Sequence, residues 1–189
     1  MDQSLVLSLF RQSGALLEGH FKLSSGLHST GYLQSALVLQ HPEHAHALGH
    51  ILGGRLRSSE PTVVLSPALG GLIIGYEVAR ELGCRAIFAE RVDGKLQLRR
   101  GFSLSPADRV VVIEDVVTTG LSTRETMEVA REAGATVVAA GAIVDRSSGA
   151  AGLGVAFTAL MQLAIPTYQP EVCPLCAAGQ AVVKPGSRA

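Results

Sequence analysis

From Thr62 to Val144, short and wholly apolar runs alternate with longer segments of helical periodicity. TVVLS is followed by GLIIGYEVARELG and RAIFAE, and then, beyond a long polar connection, by RVVVIE, LSTRETMEVAREAG and TVVAAGAIV. Strands that are apolar at every position are buried on both faces, which happens when helices cover both sides of a parallel sheet. The expected fold class is therefore α/β, with a central parallel sheet flanked by helices. Ligands in such sheets bind beyond the carboxyl ends of the strands, so the segments after Ser66, Glu90, Glu114 and Val144 are the places to look for a site.

Outside this region the pattern is less regular. Asp2 is placed to cap a first helix whose apolar positions Leu5, Leu9, Phe10 and Leu16 run to about Gly19. FKLSSGLHSTGYLQ reads as two short strands, or a strand and a loop, around a Ser-Ser-Gly turn. Pro42 suits the first position of a second helix in which Leu48, Leu52 and Leu56 recur every four residues. A length of 189 residues is enough for one core, so residues 1–189 are read as a single domain, with a loose tail expected over 180–189.

Sixteen basic residues balance 16 acidic ones, which removes the broad positive field that nucleic-acid binding requires and favours a small anionic substrate. The start MDQSLVLSLFRQSG lacks the basic opening of a secretory signal, and no apolar stretch reaches membrane-spanning length. Three cysteines do not make a disulfide framework, so a cytoplasmic protein is expected.

The chemistry concentrates in Val110 to Thr123, VVVIEDVVTTGLST, a buried strand that ends in two acids and passes through a hydroxyl-rich turn into a helix. N–H groups at that helix start, with the hydroxyls of Thr118, Thr119, Ser122 and Thr123 and a permissive Gly120, make an anion site suited to a phosphate monoester. Glu114 and Asp115 would repel an anion but accept hydrogen bonds from paired sugar hydroxyls, so the segment as a whole suits ribose 5-phosphate. The Lys-Ser/Thr of a nucleoside-triphosphate P-loop and the G-x-G-x-x-G of dinucleotide sites are both absent.

This segment resembles the phosphoribosyl pyrophosphate signature of the type I phosphoribosyltransferases. FKLSSGLHSTGYLQ, SPALGGLIIGYEVAR and AIVDRS resemble, in order, the N-terminal substrate segment, pyrophosphate loop and base-binding strand end of the orotate-specific branch. CPLC and PGSR in the tail are similar to a bacterial group within it. The resemblance implies a small N-terminal hood over residues 1–40, a long flexible loop, and transfer of a phosphoribosyl group to orotate in pyrimidine biosynthesis. Mg²⁺ would be held mainly through phosphoribosyl pyrophosphate, with no protein residue assigned as a direct metal ligand.

By position, the phosphoribosyl pyrophosphate ligands would be Glu114, Asp115, Val116, Val117, Thr118, Thr119, Gly120, Leu121 and Ser122, with Arg91, Lys95 and Arg99 from the loop. Asp115, Lys95 and Arg91 would be catalytic, and Thr118 and Arg146 would contact orotate. Arg146 is also favoured on physical grounds, because a guanidinium fork holds a planar carboxylate by two hydrogen bonds. The connection between Glu90 and Asp108 bears Arg91, Lys95, Arg99 and Arg100 against Asp93 alone, and long loops of this kind often close over sites. The family's loop closes over a neighbouring subunit's site, which implies a homodimer. Ser24, Gly70 and Val92 stand where the family pattern has cations. Lys22, Arg99, Arg100 and the backbone N–H groups of Gly70 and Gly71 are the candidate replacements.

Two weaker signals remain. Cys173 and Cys176 form one C-x-x-C, half of a zinc site, and read as reduced, packed thiols, with an inter-subunit zinc or a redox pair as alternatives; Cys84 reads as core. His41, His44, His46 and His50 lack an H-E-x-x-H pattern or an acidic partner and read as a polar helix face. Competing functions are a phosphoribosyltransferase for another base and a non-catalytic phosphoribosyl pyrophosphate-binding regulator.

Overall fold

The computed structural model describes residues 3–23 and 26–184. Helix α1 (Gln3–Gln12) leads into an antiparallel hairpin of β1 (Leu16–Lys22) and β2 (His28–Leu33), then into α2 (Ser35–Leu39) and α3 (Pro42–Leu56). The repeating unit follows as β3 (Val63–Pro67), α4 (Gly71–Leu82) and β4 (Arg85–Val92). It continues with β5 (Lys95–Leu98), β6 (Arg109–Val117), α5 (Leu121–Glu132) and β7 (Thr136–Asp145). The chain ends through β8 (Phe157–Gln162), β9 (Thr167–Tyr168) and a short helix, α6 (Pro174–Ala177).

Six strands form the main sheet in the order β5-β4-β3-β6-β7-β8, all parallel except the β4–β5 pair. The continuous apolar strands are explained by their surroundings. Val64, Val111, Ile113 and Ile143 pack with α1, α3 and α4 on one face, whereas Val63, Leu65, Val110 and Val112 pack with Met127 and Ala130 of α5 on the other. Each fully buried Ile or Val stabilises the sheet by roughly 1.5–3 kcal/mol relative to exposure. Because β3 connects outward to β4 while β6 lies on its other side, the strand order reverses between β3 and β6. The carboxyl ends there open a crevice.

A second sheet, β1-β2-β9, stands apart from the first and is antiparallel throughout. It joins residues of the N-terminal segment to the C-terminal region. Gln180 and Val183, within the span expected to be loose, are tied to it: the Val183 N–H donates to the His20 carbonyl and the Lys22 N–H to the Val183 carbonyl, each at 2.8 Å. Asp2, Ser24 and the PGSR tail lie outside the described residues.

Three local readings are corrected. The first helix ends at Gln12 rather than near Gly19, because Gly14 takes a left-handed φ of 65° and the Ala15 N–H closes the end onto the Phe10 carbonyl; Leu16 belongs to β1. The connection after Glu90 is in its first half a β-hairpin. Asp93 and Gly94, at φ 49° and 82°, form the two-residue turn whose twist matches the strands, and Val92 pairs with Lys95. The histidines of α3 do have acidic partners, supplied by α4: His50 Nδ1 lies 2.7 Å from Glu81, and His46 Nδ1 lies 3.5 Å from Glu77. With Arg57 and Arg80, which pair with Glu81 and Glu77, they form a polar network between two packed helices.

Candidate active site

The carboxyl ends of β6 and β7 and the hood sheet enclose a cleft of about 850 Å³. Its floor is Glu114 to Thr123, its wall on the β7 side is Arg146, and its roof is formed by Leu23, Leu27, Tyr32 and Thr167. Strand β6 continues to Val117, so consecutive side chains of Glu114 and Asp115 leave the sheet at its end, where neither is fully covered by a helix.

Both acids are held in an apolar setting. Burial pushes the Glu114 carboxyl well above the usual range, and the Asp115 charge raises it further; its Oε2 has no hydrogen-bond partner among the described residues. Asp115 is raised by burial as well, and the nearby Ser35 hydroxyl and then the Val116 N–H, which its Oδ1 accepts at 2.8 Å, partly offset that rise. A buried carboxylate without a donor costs stability, and a strongly perturbed acid lining a cleft is a mark of a ligand site. Donors or a cation brought by a ligand would satisfy it.

Gly70 and Gly71 adjoin these acids. A Cβ on Gly70 would lie 2.7 Å from Asp115 Oδ1, and one on Gly71 would lie 3.2 Å from Glu114 Oε2 and 2.8 Å from the Ile113 carbonyl. A side chain at 70 would displace the Asp115 carboxylate from the position it takes here.

Beyond the acids, Thr118 and Thr119 are exposed to the cleft and Gly120 turns the chain into α5. The first intrahelical bond is from the Arg124 N–H to the Gly120 carbonyl at 2.9 Å, so the N–H groups of the opening turn point outward, with Leu121 N only 3.4 Å from the Thr119 hydroxyl. Side chains at 120 are excluded because a Cβ would meet the Ala151 carbonyl at 2.9 Å. The Arg124 guanidinium donates to that same carbonyl and so pins the loop from behind. This is a cradle of N–H and hydroxyl donors at the positive end of a helix.

Arg146 extends the site. Its N–H bonds the Val117 carbonyl at 2.8 Å, which fixes the backbone beside the acid loop. Asp145 does not pair with the guanidinium: its carboxylate is occupied by the Ser147 N–H and hydroxyl at 2.7 and 2.6 Å. Arg146 Nε has no hydrogen-bond partner among the described residues, and burial lowers the guanidinium's proton affinity, with Tyr32 opposing that effect. The Tyr32 hydroxyl is raised first by burial and then by Asp115. Tyr32, Leu27 and Thr167 were not singled out from the sequence. An aromatic residue in a short strand carries no local sign that the strand will fold over a cleft 80 residues further along the chain.

Arg91, Lys95 and Arg99 are not brought to this cleft. Arg91 pairs with Glu125 and donates to the Gly94 carbonyl at 2.6 Å, Arg100 pairs with Glu90 at 2.7 Å, and Arg99 lies 3.9 Å from Glu90. Lys95 is exposed beside the hairpin turn. The last pair between β3 and β4 is Pro67 with Ala89, so Glu90 to Val92 and the turn project past the carboxyl edge of β3.

A twisted parallel sheet with an acid pair and a phosphate cradle at its switch point is the construction of a phosphoribosyltransferase, and residues 35–152 match the family model for the phosphoribosyl transferase domain. The chain is 51% identical over 188 residues to the orotate phosphoribosyltransferase of Pelotomaculum thermopropionicum, covering 100% of this chain and 99% of that protein. It is 51% identical over 190 residues to that of Heliobacterium modesticaldum, covering 100% of each. The crystal structure of orotate phosphoribosyltransferase from Aeropyrum pernix superposes with a TM-score of 0.70 at 30% identity, over 84% of this chain and 93% of that one. The chain belongs to the orotate phosphoribosyltransferase family.

Proposed function

We propose that this enzyme transfers the phosphoribosyl group of phosphoribosyl pyrophosphate to orotate, giving orotidine 5′-monophosphate and pyrophosphate in pyrimidine biosynthesis. One observation carries the reading: among the described residues the buried Oε2 of Glu114 and Nε of Arg146 have no hydrogen-bond partner, and both residues line one cleft together with the phosphate cradle. Glu114 and Asp115 accept hydrogen bonds from the ribose hydroxyls, Thr118 to Ser122 hold the 5-phosphate, and Arg146 holds the orotate carboxylate as a bidentate pair. These contacts align a ring nitrogen of orotate with C1 of the sugar as the C1–oxygen bond to pyrophosphate breaks.

Positive charge develops on the sugar ring in such a displacement, and Asp115, with its acid neighbour, is placed to stabilise it. Mg²⁺ would be held mainly by the oxygens of phosphoribosyl pyrophosphate beside the acid pair, where it would neutralise pyrophosphate charge. Residues 1–189 are read as one working domain, with residues 1–40 supplying much of the roof, and the cytoplasm is the proposed compartment. No helix among the described residues is long and apolar enough to cross a membrane.

Loop cations complete the reading through a homodimer. Lys95 is exposed beside a hairpin turn and does not line its own cleft, and Leu69, Ile73 and Tyr76, 82%, 45% and 64% accessible, are exposed apolar residues just before and within α4. Apolar exposure of that kind marks a contact surface, and a second copy docked there would receive Lys95 and Arg91 at its pyrophosphate. The defining experiment mixes the protein with phosphoribosyl pyrophosphate, Mg²⁺ and orotate, uracil or hypoxanthine. Consumption of orotate alone is expected; turnover of another base, or tight phosphoribosyl pyrophosphate binding without any turnover, would refute it.

A further inference from the structure

Four side chains from opposite ends of the chain meet behind the hood sheet. β1 contributes His20, β2 His28, the start of α6 Cys173 and α6 itself Cys176; their nitrogen and sulfur atoms all lie within 4.8 Å of one another. A bulge in β1 between Glu18 and Phe21 turns His20 inward beside Phe21, so two consecutive residues are buried and His20 reaches the face that carries His28. The C-x-x-C is wound into a tight turn: the Ala177 N–H bonds the Cys173 carbonyl at 3.1 Å, and the Gly179 N–H bonds the Cys176 carbonyl at 2.9 Å. Both thiols therefore face the same point.

The sulfur–nitrogen distances suit a tetrahedral metal site, and the two imidazole nitrogens sit about half an ångström closer than a bound ion would hold them. Cys173 Sγ and Cys176 Sγ lie 3.6 and 3.8 Å from His20 Nε2, Cys176 Sγ lies 3.3 Å from His28 Nδ1, and the two imidazole nitrogens are 2.8 Å apart. Zn–N and Zn–S bonds at tetrahedral angles place ligand atoms about 3.6 Å apart for N and S, and about 3.3 Å apart for two nitrogens. The second shell agrees. His20 Nδ1 lies 2.8 Å from the Gln180 carbonyl, which can only accept, so Nδ1 carries the proton and the Nε2 lone pair points at the thiols. Metal-ligating histidines are oriented in this way. His20, His28 and Cys173 are buried, at 4%, 6% and 2% exposure, in a pocket too polar to be ordinary core.

We propose that His20, His28, Cys173 and Cys176 bind one structural Zn²⁺ ion, with two imidazole and two thiolate ligands and no open position. Borderline-soft nitrogen and sulfur donors in this geometry select zinc over magnesium or calcium. The four residues do not line the catalytic cleft, but Leu23 and Leu27 of its roof lie on the turn between the two histidines. The ion therefore clamps the hood to the C-terminal segment and holds that roof in place, independently of which base the enzyme uses.

Metal analysis of the untagged, full-length protein after exhaustive dialysis tests this. About one zinc per chain is expected, released as the thiols are titrated, with a fall in Tm on chelation of roughly 10 °C. Cobalt(II) exchanged into the wild-type protein should give the intense visible bands and sulfur-to-metal charge transfer of a tetrahedral thiolate site, a readout that needs no variant to fold. Cys176→Ser should lose the metal and Cys84→Ser should retain it. Protein grown with ample zinc that holds none and gives no cobalt spectrum, or a Cys173–Cys176 disulfide persisting in reduced cytosolic extract, would overturn the proposal.

Discussion

Replacing Glu114 by Gln keeps the shape of the side chain and removes its charge, and the two consequences run in opposite directions. In the free enzyme Glu114 Oε2 is buried without a hydrogen-bond partner among the described residues, with burial and Asp115 both opposing ionisation. An unsatisfied buried polar group costs about 1–3 kcal/mol, more when charged, so the neutral amide should recover about 1–2 kcal/mol. For a chain of this size that raises Tm by roughly 2–8 °C.

The gain has a defined pH dependence. The native carboxyl holds its proton more tightly than the unfolded one, so its favourable contribution is complete below the ordinary value of 4.5 and is lost as pH rises from there through the raised native value. Glu114→Gln should therefore melt close to wild type at pH ~5 and clearly above it at pH ~8. Phosphoribosyl pyrophosphate reverses the order. Ribose hydroxyls that bond a charged acceptor are worth about 1.5–3 kcal/mol, so the variant should bind this substrate roughly 10- to 100-fold more weakly. Differential scanning fluorimetry at the two pH values, with titration calorimetry of the Mg²⁺ complex of the substrate, measures both. A Tm at or below wild type at the higher pH, or an unchanged substrate affinity, would refute the account of Glu114 as an acid whose cost is relieved by ribose.

Arg146→Lys should lower kcat/KM for orotate by roughly 10- to 100-fold while leaving phosphoribosyl pyrophosphate affinity nearly unchanged, since an ammonium cannot form the bidentate carboxylate pair; equal losses for both substrates would contradict the assignment. Lys95→Ala should reduce kcat by on the order of 100-fold with little change in Tm, because the side chain is exposed and is assigned to charge on the leaving group. Normal turnover by that variant would remove the hairpin from the mechanism. Gly49→Ala should cost about 3 kcal/mol and lower Tm by roughly 6–12 °C, because the added Cβ would lie 2.3 Å from Glu77 Cβ and 2.9 Å from its backbone carbon where α3 crosses α4. A thermal melt within a degree or two of wild type would show that the two helices can separate cheaply.

What could be read from the chain before folding was what is encoded by neighbours. The apolar strands, the helix from Pro42 and the acid-to-hydroxyl run from Glu114 to Thr123 each depend on spacings of a few residues, so periodicity and turn chemistry expose them directly. The Asp93–Gly94 hairpin is equally local, an Asp-Gly turn between two short runs, but it sits within a stretch of charged residues that masks the strand alternation. Other features depended on long-range closure. Whether the histidines of α3 had acidic partners was settled by the docking of α4. Cys173 and Cys176 looked like half a site because their complement, His20 and His28, lies some 150 residues away. Only the pairing of β1 with β2 and of the C-terminal segment with β1 brings the two halves within bonding distance, and no spacing in the sequence records a contact made by folding one end of a chain onto the other.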